Sequence, residues 1–174
     1  MKTYIFLFLL LIVSSCSAAQ VEGEGSEIVR LTVIDSGSYS TTKEKEISFY
    51  QIGNKDEFES IFRKIHSAQI PPPSIPEIDF NSKIAIVIVL GQKPTGGYSI
   101  NIENDAKLED GILSVKVNIV KPQPGSMLTQ AFTNPYIVAE VNKNGIKTIN
   151  FLDSSDILLK KIDLMQSSQI EGGK

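Results

Sequence analysis

Residues Ile84 to Leu90 read IAIVIVL, seven apolar residues in succession and mostly β-branched. A strand with one wet face alternates between apolar and polar residues. An unbroken apolar run suits a strand covered on both faces, so this one is placed at the centre of a β-rich core. The chain leaves it through GQKPTGGYSI (Gly91 to Ile100), which holds three glycines, a proline, a lysine and a tyrosine.

Outward from this strand, period-2 alternation marks several others. Downstream, Tyr98, Ile100 and Ile102 alternate with polar neighbours, as do Leu113, Val115, Val117 and Ile119. PYIVAEV (Pro135 to Val141) and KTINFL (Lys147 to Leu152) follow, joined by a turn at Lys143 to Gly145. Upstream, Val29, Leu31 and Val33 share one face of IVRLTVI (Ile28 to Ile34), and EISFYQI (Glu46 to Ile52) alternates again. Between these two and the central strand, NKDEFESIFRKIHS places Phe58, Ile61, Phe62 and Ile65 on one helical face. Asn54 is a candidate cap, with Glu57 three residues on as in a capping box. The prolines of PPPSIP end the helix. The expected fold is α+β and β-dominated: a single antiparallel sheet or sandwich of about seven strands with one amphipathic helix, spanning residues 28–153.

The N-terminal residues MKTYIFLFLLLIVSSCSAAQ pair Lys2 with an apolar run from Tyr4 to Val13. Ten residues are too few to span a bilayer, which takes roughly 20, but they suit a secretory signal. Val13-Ser14-Ser15-Cys16 resembles a bacterial lipobox, which implies cleavage after residue 15 and lipidation of Cys16, the sole cysteine. Residues 1–15 are then a signal peptide, 16–27 a polar tether and 154–174 a C-terminal tail. Ser17, rather than aspartate, after the lipidated residue favours the outer over the inner membrane of a bacterial envelope.

Composition narrows the function. The net charge is −3, and it becomes −4 once Lys2 is removed. With no basic cluster, nucleic acid is not an expected partner. Gly91-x-x-x-x-Gly96 has the glycine spacing of a phosphate loop, but Gly97-Tyr98 stands where lysine and a hydroxyl residue are required. His66 is the only histidine, read as solvent-facing at the helix end, and no G-x-S-x-G segment is present. Asp79, Asp105, Glu109 and Asp110 fall in or near turns without forming a metal-binding spacing. No catalytic residue, metal or cofactor is expected.

As a bare turn, PTGG supplies the positive-φ positions a reversal needs. The whole GQKPTGGYSI segment resembles the signature of the PrcB family of protease complex subunits. PEIDF (Pro76 to Phe80) before the central strand and KPQPGSMLTQAFTNPYIVAEV (Lys121 to Val141) after it stand in the order of that family. Ser126 departs from the pattern, since many members carry a cysteine after the PG pair. The resemblance covers Pro76 to about Phe151. It implies a lipid-anchored, non-catalytic subunit that binds and stabilises a protease or another partner protein. The partner-binding residues expected on this basis are Lys93, Pro94, Thr95, Gly96, Gly97 and Tyr98, with Asn134, Pro135 and Tyr136 secondary. KPTGGY is also similar to the N-P-T-T-G-Y loop of chagasin-type cysteine peptidase inhibitors. Pro94, Thr95, Gly97 and Tyr98 match it, while Lys93 and Gly96 differ, and the tryptophan-bearing loop of that family has no counterpart.

Overall fold

A computed structural model describes residues 25–164. It contains ten strands in two sheets and one helix, α1 (Lys55–Ile65). The four-stranded sheet is antiparallel throughout and places β2 (Thr32–Gly37), β8 (Tyr136–Asn142), β4 (Lys83–Val89) and β3 (Ser48–Ile52) side by side. The six-stranded sheet runs β1 (Glu27–Arg30), β6 (Asp105–Glu109), β7 (Ile112–Val120), β9 (Thr148–Leu152) and β10 (Leu158–Asp163), with β5 (Ser99–Ile102) paired to the far half of β7. Its β7–β9 pair is parallel.

The expectation of a single antiparallel sheet of about seven strands is therefore corrected on three points. IVRLTVI is not one strand. Leu31 is buried at a corner, donates its N–H to the Asn104 carbonyl (2.6 Å), and hands the chain from β1 in one sheet to β2 in the other. Strands that change sheets at such corners are a known way of joining packed sheets. Second, β6 and β10 join the set. DAKLE and LLKKID are short and charged, because each has only part of one face to bury. β10 falls in the stretch set apart as a tail. Third, the Lys143–Gly145 turn forms, with Ile146 N–H on the Lys143 carbonyl (3.2 Å), but it is no hairpin. It carries the chain from β8 in one sheet to β9 in the other.

The layers follow from the two faces of β4. Ile84, Ile86 and Ile88 point into a core shared with Leu113, Val115 and Val117 of β7, Ile137 and Val141 of β8, and Ile149 and Phe151 of β9. Ala85, Val87 and Val89 point the other way, onto Phe58, Phe62 and Ile65 of α1 with Tyr136 and Val138. The four-stranded sheet is thus the middle layer, between the second sheet and the helix. Its unbroken apolar run is the signature of that position.

α1 starts where its cap predicts. The Asn54 side chain accepts the Glu57 N–H at 2.9 Å, and the Glu57 carboxylate takes the Asn54 side-chain amide (3.3 Å) rather than its backbone N–H. Asp56 and Glu57 lie in the first turn and Arg63 and Lys64 in the last, matching the helix dipole. Asn54→Ala is expected to lower unfolding free energy by about 1 kcal/mol, measured by urea denaturation.

Candidate functional site

Strand register gathers three connections at one end of the molecule. Val89 pairs with both Ser48 and Tyr136, and Tyr136 pairs with Gly37. The loops that leave these residues, 38–47, 90–98 and 121–135, therefore meet. On the other sheet Ser99 pairs with Val120, which brings the far ends of the last two loops together as well.

GQKPTGGY is a crossing from the middle sheet to the outer one, and it is clamped on both sides. At its start Gly91 has φ +77° and lies against the backbone of Lys45 and Glu46, where an added Cβ would sit 2.6 Å from the Lys45 carbonyl oxygen. Gln92 N–H donates to the Glu44 carbonyl (3.1 Å). Further on, Lys93 and Thr133 exchange backbone bonds of 2.7 and 3.0 Å, the Thr133 hydroxyl donates to the Thr95 carbonyl (2.9 Å), and Gly96 N–H donates to the Thr129 carbonyl (3.0 Å). Gly97, at φ +84°, lies under Leu128 and Pro122. The glycines thus serve close approach and positive φ at once.

The residues singled out from the sequence divide. Pro94 and Gly97 are exposed, and Lys93, Thr95, Gly96 and Tyr98 are half-buried in the clamped loop. Asn134, Pro135 and Tyr136 lie beneath it and are buried. Cys16 lies outside the described residues. Sequence reasoning passed over three large side chains on the same end: Tyr39 is 53% exposed, Phe132 65%, and Met127 fully so. Only their apolar character among polar loop residues could have flagged them. Tyr39 and Phe132 line a cleft of about 350 Å³ together with Ser40, Thr42, Lys43, Glu44, Lys45, Gln92, Thr133 and Asn134.

Asn134 ties the cleft together. Its Nδ2 donates to the Thr42 carbonyl (3.1 Å), the Thr42 hydroxyl (3.0 Å) and the Ser40 carbonyl (3.4 Å), and its backbone bonds Ser38 and Ser40. Burial alone would raise the Glu44 carboxyl. The nearby Thr42 hydroxyl, the bond from Tyr50, its own backbone N–H and Lys64 together outweigh that and hold it below the usual glutamate range. Tyr50 donates to Glu44 Oε1 at 2.7 Å, and burial together with that bond pushes its phenol up to about 12. A phenol whose folded pKa exceeds its unfolded value stabilises fully below about pH 10 and loses that contribution as pH rises toward 12. A tyrosinate absorbance titration is expected to contain one step near 12, and Tyr50→Phe should remove it.

A second polar group lies behind the loops. The His66 ring is buried, with Nε2 at 2.7 Å from Asp35 Oδ2, while Tyr136 donates to Asp35 Oδ1 at 3.3 Å and meets the imidazole edge-on. The solvent-facing reading of this histidine is thus corrected: as the C-cap of α1 it turns inward against Phe62, and Asp35, 31 residues away, receives it. Burial, then the charge of Asp35, raises the Tyr136 phenol, so it stays protonated and donates rather than attacks. The arrangement pins the end of α1 to β2 and β8. Among the described residues, no group of three or more His, Cys, Asp or Glu side chains is arranged to hold a metal ion.

Residues 84–142 match the family described as PrcB C-terminal. The match runs from β4 to the end of β8, so it contains both clamped loops and leaves out PEIDF, α1 and β9. No curated protein and no solved structure matches the chain.

Proposed function

We propose, from the premise that this chain carries a PrcB C-terminal domain over β4–β8, that it is a non-catalytic subunit which docks and stabilises a protease or another partner protein. The family is one of protease complex subunits, and that supports an association with a protease. The observation that carries the docking surface is the clamped loop end. A rigid two-sheet frame holds Lys93 to Gly97 against Thr129 to Thr133, with Met127, Phe132 and Tyr39 exposed around them. Binding residues concentrate on loops fixed by such a frame, and exposed aromatic side chains are the kind that anchor interfaces. In this reading Pro94 to Gly97 supply backbone contacts and Phe132 and Met127 the apolar anchors. Lipidation at Cys16 holds the domain at the outer membrane of the bacterial envelope, with the polar residues that precede β1 as tether.

The test is photo-crosslinking of the full chain in its native membrane, with a crosslinking residue at position 94 or 127 and a control at exposed Glu109 on β6. Capture of a secreted or surface protease from 94 and 127 but not from 109 supports the reading. Labelling from 109 alone, or only of lipid-transport components, removes it. Intact-mass measurement of the native protein tests the anchor, which requires an acylated Cys16. Because four residues of KPTGGY match the chagasin loop, the same preparation is assayed against a papain-like enzyme. Inhibition at micromolar concentration would turn docking into direct inhibition.

A further inference from the structure

We propose that the cleft between residues 39–45 and 132–134 is a receptor for a guanidinium group, an arginine side chain of the protein that the loops dock; this rests on the docking reading above. Two acceptor oxygens on side chains that line that cleft are buried and make no hydrogen bond of good geometry among the described residues: Asn134 Oδ1 and Glu44 Oε2. Asn134 is only 3% exposed, and its amide nitrogen is fixed by the Ser40 and Thr42 carbonyls, so its oxygen cannot exchange places with it. Thr42 lies close enough to help lower the Glu44 carboxyl, but the bonds of its hydroxyl run to Ser40 and Asn134. On the carboxylate, Oε1 is already shared by Tyr50 and Lys64.

Buried acceptors call for donors, and a guanidinium brings several N–H groups in a fixed fork. Two exposed rings, Tyr39 and Phe132, line the same cleft, and aromatic faces favour a planar cation above a neutral amide. A guanidinium offers an edge of donors to a carboxylate and a flat face to a ring, which an ammonium cannot do at once. Against it stand Lys43 and Lys45 on the cleft wall, with Lys64 behind Glu44. Lys43 and Lys45 are exposed, and solvent screens them. Their charge lowers the affinity without changing the donor geometry, and that provides a diagnostic.

The purified full chain is titrated with N-acetyl-arginine amide and followed by NMR at Tyr39, Phe132 and the Asn134 side-chain amide. The expected result is saturable shifts at all three, with a dissociation constant on the order of millimolar for so small a probe. N-acetyl-citrulline amide, the neutral isostere, should bind at least tenfold more weakly. Glu44→Gln should weaken arginine binding about tenfold, and Tyr39→Ala, a surface change that leaves the fold intact, by a few fold. Lys43→Gln with Lys45→Gln should strengthen it. Equal binding of citrulline, an absence of saturable shifts, or weaker binding in the double lysine variant (the behaviour of an anion site) each overturns the proposal. Arginine binding in a chain that crosslinks to no partner would keep the cleft and remove the docking reading. A crosslinked partner with no arginine binding would do the reverse.

Discussion

Gly91→Ala is expected to cost about 3 kcal/mol and to lower the melting temperature by roughly 6–12 °C, measured by circular dichroism. Two effects add at this position. The backbone sits at φ +77°, where an L side chain carries a strain of about 1–2 kcal/mol. In addition, the new methyl would meet the Lys45 carbonyl oxygen at 2.6 Å and its carbon at 2.7 Å, and neither is a flexible side-chain end that can swing away. The loop must then lift from the 44–46 segment, which breaks the Gln92–Glu44 bond and loosens the cleft wall. Gly125→Ala isolates the first effect, since that residue has φ +80° with nothing within 4 Å of the added carbon. It should cost only about 1 kcal/mol. Equal losses in the two variants would show that the 44–46 segment does not press on the loop.

The second large effect separates two residues that the sequence treats alike. Leu31→Ala should cost about 3 kcal/mol or more by chemical denaturation, because Leu31 is 1% exposed and sits in the core between the sheets, where the vacated volume cannot collapse. Val33→Ala should cost less than about 1 kcal/mol, since Val33 is 39% exposed. Period-2 alternation puts Val29, Leu31 and Val33 on one face and predicts similar costs. Comparable destabilisation by the two variants would mean that the chain does not change sheets at Leu31.

That pair also marks what the sequence made legible. Local pattern revealed β4, β8 and α1, because a continuous apolar run marks a strand of the middle layer and a helical repeat marks α1, each along its own length. The cap at Asn54 was equally local. Sheet membership is a property of pairing between distant residues, so nothing in IVRLTVI records that Leu31 is a corner. Nor does KNG record that its turn leads to a different sheet. β6 escaped notice because charged residues occupy its solvent face and only Ala106 and Leu108 are buried. At the loop end, glycine and proline made Gly91 to Tyr98 visible as a special turn. The partners that clamp it are 33 or more residues onward in the cases of Thr129 and Thr133, or lie on the 44–46 segment behind it. His66 shows the same limit: its burial depends on Asp35, and a lone histidine at a helix end reads the same whether or not such a partner exists.

The register of β8 has a consequence for how the protein comes into being. β8 stands between β2 and β4, so Thr32 waits for Glu140 and Ile84 waits for Val141. During synthesis, residues up to about 135 therefore emerge without the strand that joins the middle layer. Closing loops of that length before any contact rewards them slows folding toward the millisecond-to-second range. Until β8 arrives, the apolar run of β4 has an unpaired edge open to association with other chains. A nascent chain of this protein is thus most vulnerable until β8 emerges, and a chaperone that shields it must hold on at least to residue 142.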